Sequence, residues 1–293
     1  MKNIKRILFL VLVVFSILEL AICQDSLNGN QLEGLLRDSI TGKPVQYANV
    51  GIRNSLIGTV SDLEGYFSLN IPDSLKNNAL TISSMGFKKL NIPVLDLNLG
   101  TRNFIEMHPE IYELSETKIC GTHLKQKTRG LKSRTKKMVV VINGKNLGSE
   151  AGSPIKIRNR ETILRSFHFN ITQNVPDSAI FRLKVYDLSS DSIGLNLLSE
   201  NIIFKIENDD LGEYVIDLLP YNITINQDIF VAVELLGLYP IESIGKTWYS
   251  DRINVSIGPD LSRGGIFVKK AGFSKWEKIA NNYSFGFWFT TLE

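Results

Sequence analysis

Hydrophobic and polar residues alternate along most of this chain with the two-residue period of a half-buried strand. In 66–71, Phe67, Leu69 and Ile71 share one face. In 165–172, Phe167, Phe169 and Ile171 take the apolar face and leave His168 on the other; in 181–186, Phe181, Leu183 and Val185 oppose Arg182, Lys184 and Tyr186. Between such runs stand turn formers: Asp38, Gly42 and Pro44, then 62–65, then Met85-Gly86. The pattern predicts strands at 31–37, 45–53, 57–61, 66–71, 79–84 and 87–94, and again at 165–172, 181–186, 201–207, 213–218, 228–235, 253–257, 265–270, 276–279 and 283–291. The Gly-rich stretches 143–148 and 152–154 read as turns. Strands recurring every eight to twelve residues or so, with no helical period, predict an all-β chain built from sandwiches.

The first residues break this pattern. Lys2, Lys5 and Arg6 precede an apolar run over 7–18. That run is well short of the roughly 20 residues of a membrane-spanning helix. Residues 1–23 therefore read as a secretory signal peptide, cut before Gln24. Cys23 offers an alternative in which it is lipidated. The expectation is export to the periplasm, the outer-membrane surface or the exterior, with no transmembrane segment after cleavage. Cys120 would then be the one cysteine left, which rules out an internal disulfide.

Net charge is +3 for the whole chain. Residues 118–137 hold eight Lys/Arg and no Asp/Glu. With the leader contributing +2, the remainder of the mature chain stands at −7 once those eight are set aside. Segment 109–137 thus reads as a basic connector, solvated and flexible. A nucleic-acid partner is not expected, because export removes it and no aromatic residue is interleaved to stack on bases.

Gly34, Asp38, Thr41-Gly42, Pro44-Val45, Ala48-Asn49-Val50, Gly58-Thr59, Ser61-Asp62, Gly65, Phe67, Ile71-Pro72 and Ser84-Met85-Gly86-Phe87 together resemble the carboxypeptidase regulatory-like domain. The resemblance implies a transthyretin-like (prealbumin-like) β-sandwich over 24–108 that acts as a scaffold rather than a catalytic centre. The remainder, 138–293, reads as a second antiparallel sandwich of jelly-roll-like order, and it resembles the C-terminal β domain found beside this module in exported bacterial proteins.

An enzyme reading finds little footing. Zinc carboxypeptidases need two histidines and a glutamate. None of His108, His123 and His168 begins a His-x-x-Glu, since Ile111, Gln126 and Ile171 stand three places on. Asp62 and Glu64 are too few oxygens for calcium. Cys120 beside His123 lacks an orienting group. A glycosidase-type acidic pair is not marked. No catalytic, cofactor or metal residue is expected. Trp248, Tyr249, Trp276 and Trp288 are candidate ligand-binding aromatics, weighed against packing in the core. The sequence thus predicts a non-catalytic binding or scaffolding protein of the cell envelope, whose partner is an envelope glycan or another envelope protein. A glycan-binding or adhesive module is the alternative, and a hydrolase with an unmarked acidic pair is more distant.

Overall fold

The computed structural model describes residues 30–110, 124–132, 140–143, 147–158, 161–174, 177–189, 192–239, 254–257, 259–260 and 264–293. The chain forms two β-sandwiches. The first comprises β1 (Gln31–Asp38), β2 (Asn49–Ile52), β3 (Gly58–Val60), β4 (Tyr66–Asn70), β5 (Ala79–Ser83), β6 (Leu90–Pro93) and β7 (Arg102–Met107). One sheet runs β4-β1-β7 and the other β3-β2-β5-β6. Alternate residues of both, among them Leu32, Leu36, Phe67, Leu69, Leu80 and Ile82, point inward and make the core. The alternation seen in the sequence is the cause: successive side chains of a strand lie on opposite faces of the sheet.

Two expectations need correction here. The strand foreseen over 45–53 begins only at Asn49, because Tyr47 sits at φ 52°, in the left-handed region that ends strand geometry. The pattern also missed β7, which runs parallel to β1 from Glu33↔Arg102 to Asp38↔Met107. β7 escaped the pattern because its polarity is inverted at two positions. Asn103 is buried, with its amide donating to the carbonyls of Glu33, Asn98 and Thr101, while Phe104 is 76% exposed.

The second sandwich comprises β8 (Gln126–Gly130), β9 (Val140–Asn143), β10 (Glu150–Ile155), β11 (Thr162–Asn174), β12 (Ser178–Ser189), β13 (Ser192–Asn196), β14 (Ile202–Glu207), β15 (Gly212–Asp217), β16 (Thr224–Ile225), β17 (Ile229–Tyr239), β18 (Asn254–Ile257), β19 (Pro259–Asp260), β20 (Ile266–Lys269), β21 (Glu277–Ala280), β22 (Ser284–Phe285) and β23 (Trp288–Leu292). One sheet runs β13-β12-β17-β10-β20-β21, with β14 also on β12. The facing sheet runs β8-β23-β11-β18-β9, with β15 and β16 on β11. Phe167, Phe169, Phe181, Leu183, Val231, Val233, Phe287 and Phe289 fill the space between them.

The turn expected at 152–154 is the middle of β10, which lies between β17 and β20. Gly152 is there for close approach, since a Cβ would stand 2.3 Å from the Val231 carbonyl oxygen. The Ser153 hydroxyl donates to Gly265 O and accepts from Phe285 N–H, which ties three segments together.

The connector expectation also fails for part of its length. Residues 126–130 are β8, paired antiparallel with β23 from Gln126↔Leu292 to Gly130↔Trp288. Arg129 and Lys127 both bond the Glu293 carboxylate, whose side chain is almost fully enclosed. The Arg129 hydrogen bonds, with help from Lys127, hold that carboxyl down to about 2. A depressed folded value means the stabilisation is complete above the ordinary 4.5 and is lost as pH falls towards about 2. Glu293→Gln should therefore flatten the acid limb. Urea midpoints followed from about pH 5 to about pH 2 should fall less in the variant than in the parent, and an equal fall would refute the assignment.

Candidate functional site at the seam between the sandwiches

Trp248 and Tyr249 lie outside the described residues. Trp276 and Trp288 both pack against neighbouring side chains. Trp276 packs edge-on against Phe230 and Tyr186, with Lys269 Nζ 5.7 Å from its ring centre. Trp288 points away from Phe287 and Phe289, as the alternation required, but is only 3% exposed. His168 stacks on it at 5.3 Å and 13°, and Lys132 Nζ lies 5.0 Å from the ring centre. Trp288 is thus enclosed, and Trp276 is half-buried.

His168 is not the freely solvated histidine expected. Its Nδ1 lies 3.0 Å from Glu213 Oε1, and its Nε2 lies 2.7 Å from Ser166 Oγ and 2.9 Å from Thr290 Oγ1. Burial lowers its pKa, and Glu213 only partly opposes that. Ser166 and His168, two residues apart on β11, share a face by strand alternation, beyond a register shift between Leu164 and Ser166. Ser166, His168 and Glu213 thus have the connectivity of a hydrolytic triad, on a strand paired along both edges at Ser166, opposite Asp217 on one side and Thr290 on the other.

His108 Nδ1 lies 2.8 Å from Ser39 Oγ at the end of the first module, and His123 lies outside the described residues, as does Cys120. Asp62 accepts from the N–H groups of Glu64 and Tyr66, which makes it a turn former.

The two sandwiches meet on the outer face of the β12-β17-β10-β20 sheet. Strand register places Arg182, Glu234, Glu150 and Lys269 in one row across four neighbouring strands. Arg182 Nε donates to Glu234 Oε2 at 2.8 Å and its Nη1 to the Tyr47 carbonyl at 3.1 Å. Lys184 Nζ stands 3.4 Å from the same Glu234 oxygen. Glu150 accepts from Tyr186 Oη and from Lys269 Nζ. Burial would raise the Glu234 carboxyl, but Arg182 and then Lys184 outweigh it and hold the group ionised. The left-handed Tyr47 is what turns a carbonyl of the first module towards Arg182 of the second.

Small residues bring the surfaces together. A Cβ on Gly272 would fall 2.5 Å from Asn49 Oδ1, and one on Gly58 would fall 3.1 Å from the Ala271 Cβ. Asn54 N–H donates to the Phe273 carbonyl at 3.1 Å. Tyr47 and Val60 of the first module pack with Leu236 of the second.

A cleft of about 340 Å³ opens on the β2-β5-β6 face of the first module, lined by Ile52, Arg53, Asn78, Ala79, Thr81 and Asn91. Register puts Gly51, Thr81 and Asn91 in one row of that face. Phe273 of the second sandwich stands over Gly51, 3.4 Å from where its Cβ would be. No short motif marks this site, because its residues come from three separate segments, at 52–53, 78–81 and 91. The one available signal was the polar outward pattern of 79–83 and 89–93.

Residues 32–119 match the family model of the CarboxypepD_reg-like domain. No curated protein matches the chain. Among solved structures, the chain is similar to the cysteine protease and lectin-like domains of Cwp84, a surface layer associated protein of Clostridium difficile. Identity is 11% and the TM-score 0.39, over 92% of this chain and 60% of that one. A second structure, the clostridial cysteine protease Cwp84 after propeptide cleavage, gives 11% identity and a TM-score of 0.37 over 83% of this chain and 64% of that one. The chain thus spans about 60% of the length of the first of these structures.

Proposed function

We propose that this is an exported binding or scaffolding protein of the cell envelope, without catalytic activity of its own. The observation that carries the reading is the seam. Arg182, Glu234 and Tyr47 lock a CarboxypepD_reg-like module onto a second sandwich, and the lock leaves a cleft beside it. Interfaces between domains are preferred places for ligands. The adjacent carboxylates Glu150 and Glu234 are enclosed and each is committed to cations, which supports binding over acid–base chemistry.

A glycan ligand is the reading favoured within that class, because the cleft offers carboxamides, a hydroxyl and a guanidinium rather than an apolar groove. The purified protein should be presented to arrays of envelope glycans and peptidoglycan fragments, scored for retention and for turnover. Retention without turnover is expected. Turnover of any retained glycan would overturn the non-catalytic reading, and retention of none would remove the glycan. Cell fractionation with the mass of the mature N-terminus tests export and the lipidation of Cys23.

A further inference from the structure

The cleft at the seam has a chemical character of its own. Arg53 lines it, and Lys89, outside that lining and one residue ahead of β6, stands two places before Asn91 on the same strand face, at the end away from Arg53. Neither cation has a carboxylate within ion-pair distance among the described residues, whereas Lys132, Lys269, Lys270 and Arg182 are all paired. Lys89 Nζ lies 5.9 Å from the centre of the Phe273 ring, which fixes it against the second sandwich. Desolvation first, and then the charges of Arg53 and Lys269, lower its pKa, the mark of positive charge lacking compensation. Between these cations the Thr81 hydroxyl donates to Asn91 Oδ1 at 2.9 Å, which leaves the amide NH2 of Asn91 as a donor. Asn78 adds a second carboxamide. The volume suits one or two sugar rings, at the low end of the roughly 300–1,000 Å³ of small-molecule sites.

We propose that this cleft binds an acidic saccharide, with the carboxylate of one ring held by Arg53, that of the adjoining ring by Lys89, and the ring hydroxyls by Asn78 and Asn91. The proposal rests on the binding function above and names its ligand class. Arg53 supplies a planar fork that matches a carboxylate at two points, and Lys89 supplies a point charge. The Phe273 ring of the second sandwich stands beside this face, over Gly51.

The test uses the protein purified from the fraction in which it accumulates. Titration calorimetry and amide chemical-shift mapping would be run with an oligogalacturonide, with a neutral oligosaccharide of equal length, and with inorganic phosphate. Saturable binding of the oligogalacturonide is expected, weakened by added salt, with shifts centred on Arg53, Thr81 and Asn91. Arg53→Gln and Lys89→Gln should each weaken it about tenfold or more, the worth of a hydrogen bond to a charged group. Both residues lie on the surface face, and an unchanged thermal midpoint would show that the variants are folded. Equal binding of the neutral sugar, or unchanged affinity in both variants, would overturn the proposal. Phosphate binding without saccharide binding would overturn it too. If a different envelope glycan is retained on the array and the Arg53 and Lys89 variants hold it equally well, the acidic-saccharide site fails while the binding function stands.

Discussion

Arg182→Ala should destabilise the protein by about 3–5 kcal/mol, the usual cost of removing one partner from a buried pair. Arg182 and Glu234 are both enclosed, at 2% and 0% side-chain exposure, so the alanine leaves a carboxylate stripped of water and of its main counter-charge. Lys184 at 3.4 Å compensates only in part. The same change frees the Tyr47 carbonyl, one of the polar contacts that cross the seam. Denaturant unfolding of the variant should therefore resolve into two transitions, one per sandwich. Replacing both partners together, Arg182→Met with Glu234→Leu, should recover much of the loss, because the desolvation cost leaves with the charges. A loss under about 1 kcal/mol for Arg182→Ala would mean that the pair is wet, and would refute the lock.

Phe167→Ala should cost a similar 3–5 kcal/mol, for a different reason. Phe167 is fully buried and touches three other rings, with centroids 5.2 Å from Phe287, 5.2 Å from Phe289 and 5.5 Å from Phe169. These rings belong to two neighbouring strands and the segment joining β22 to β23, all tied into the sheet, so the cavity cannot close by collapse. The loss should appear as a lower urea midpoint with an unchanged slope, and should leave saccharide binding at the distant seam intact. A binding defect in this variant would contradict the placement of the ligand on the first module.

The strand alternation made the two cores legible. Phe67 and Leu69, or Phe181, Leu183 and Val185, sit where a period of two put them, and the second sandwich followed from the same rule. The rule failed where a strand is held by something other than an apolar face. β7 buries Asn103 and exposes Phe104, so its hydrogen bonds rather than its hydropathy keep it in place. β10 carries Gly152, Ser153 and Pro154, residues typical of turns, because a neighbouring backbone and a shared hydroxyl demand them. β8 was hidden inside a run of basic residues whose charge is answered by Glu293, more than 160 residues away.

The seam was illegible for a related reason. The outward face of 181–186 was correctly expected to carry Arg182, Lys184 and Tyr186, and polarity alone suggested solvent. What it meets instead is Glu234, Glu150 and the first module, and those pairings depend on register across strands far apart in sequence. Gly58 likewise lies in an expected strand, and the need for a glycine there shows only once Ala271 is seen beside it.

The pairing of β8 with β23 bears on how the chain is assembled. All seven strands of the first sandwich are complete by Met107, and its contacts are available as soon as that much has emerged. The second sandwich has its opening edge strand at Gln126–Gly130 and the partner of that strand at Trp288–Leu292, which also fills the place beside β11. Such separation makes closure a late and slow event. Until β23 arrives, β11 has an empty flank and the Phe167 face is uncovered. The molecule is therefore made in two stages, a module that can finish early and a second that must wait for its last strand, with the seam able to lock only after both.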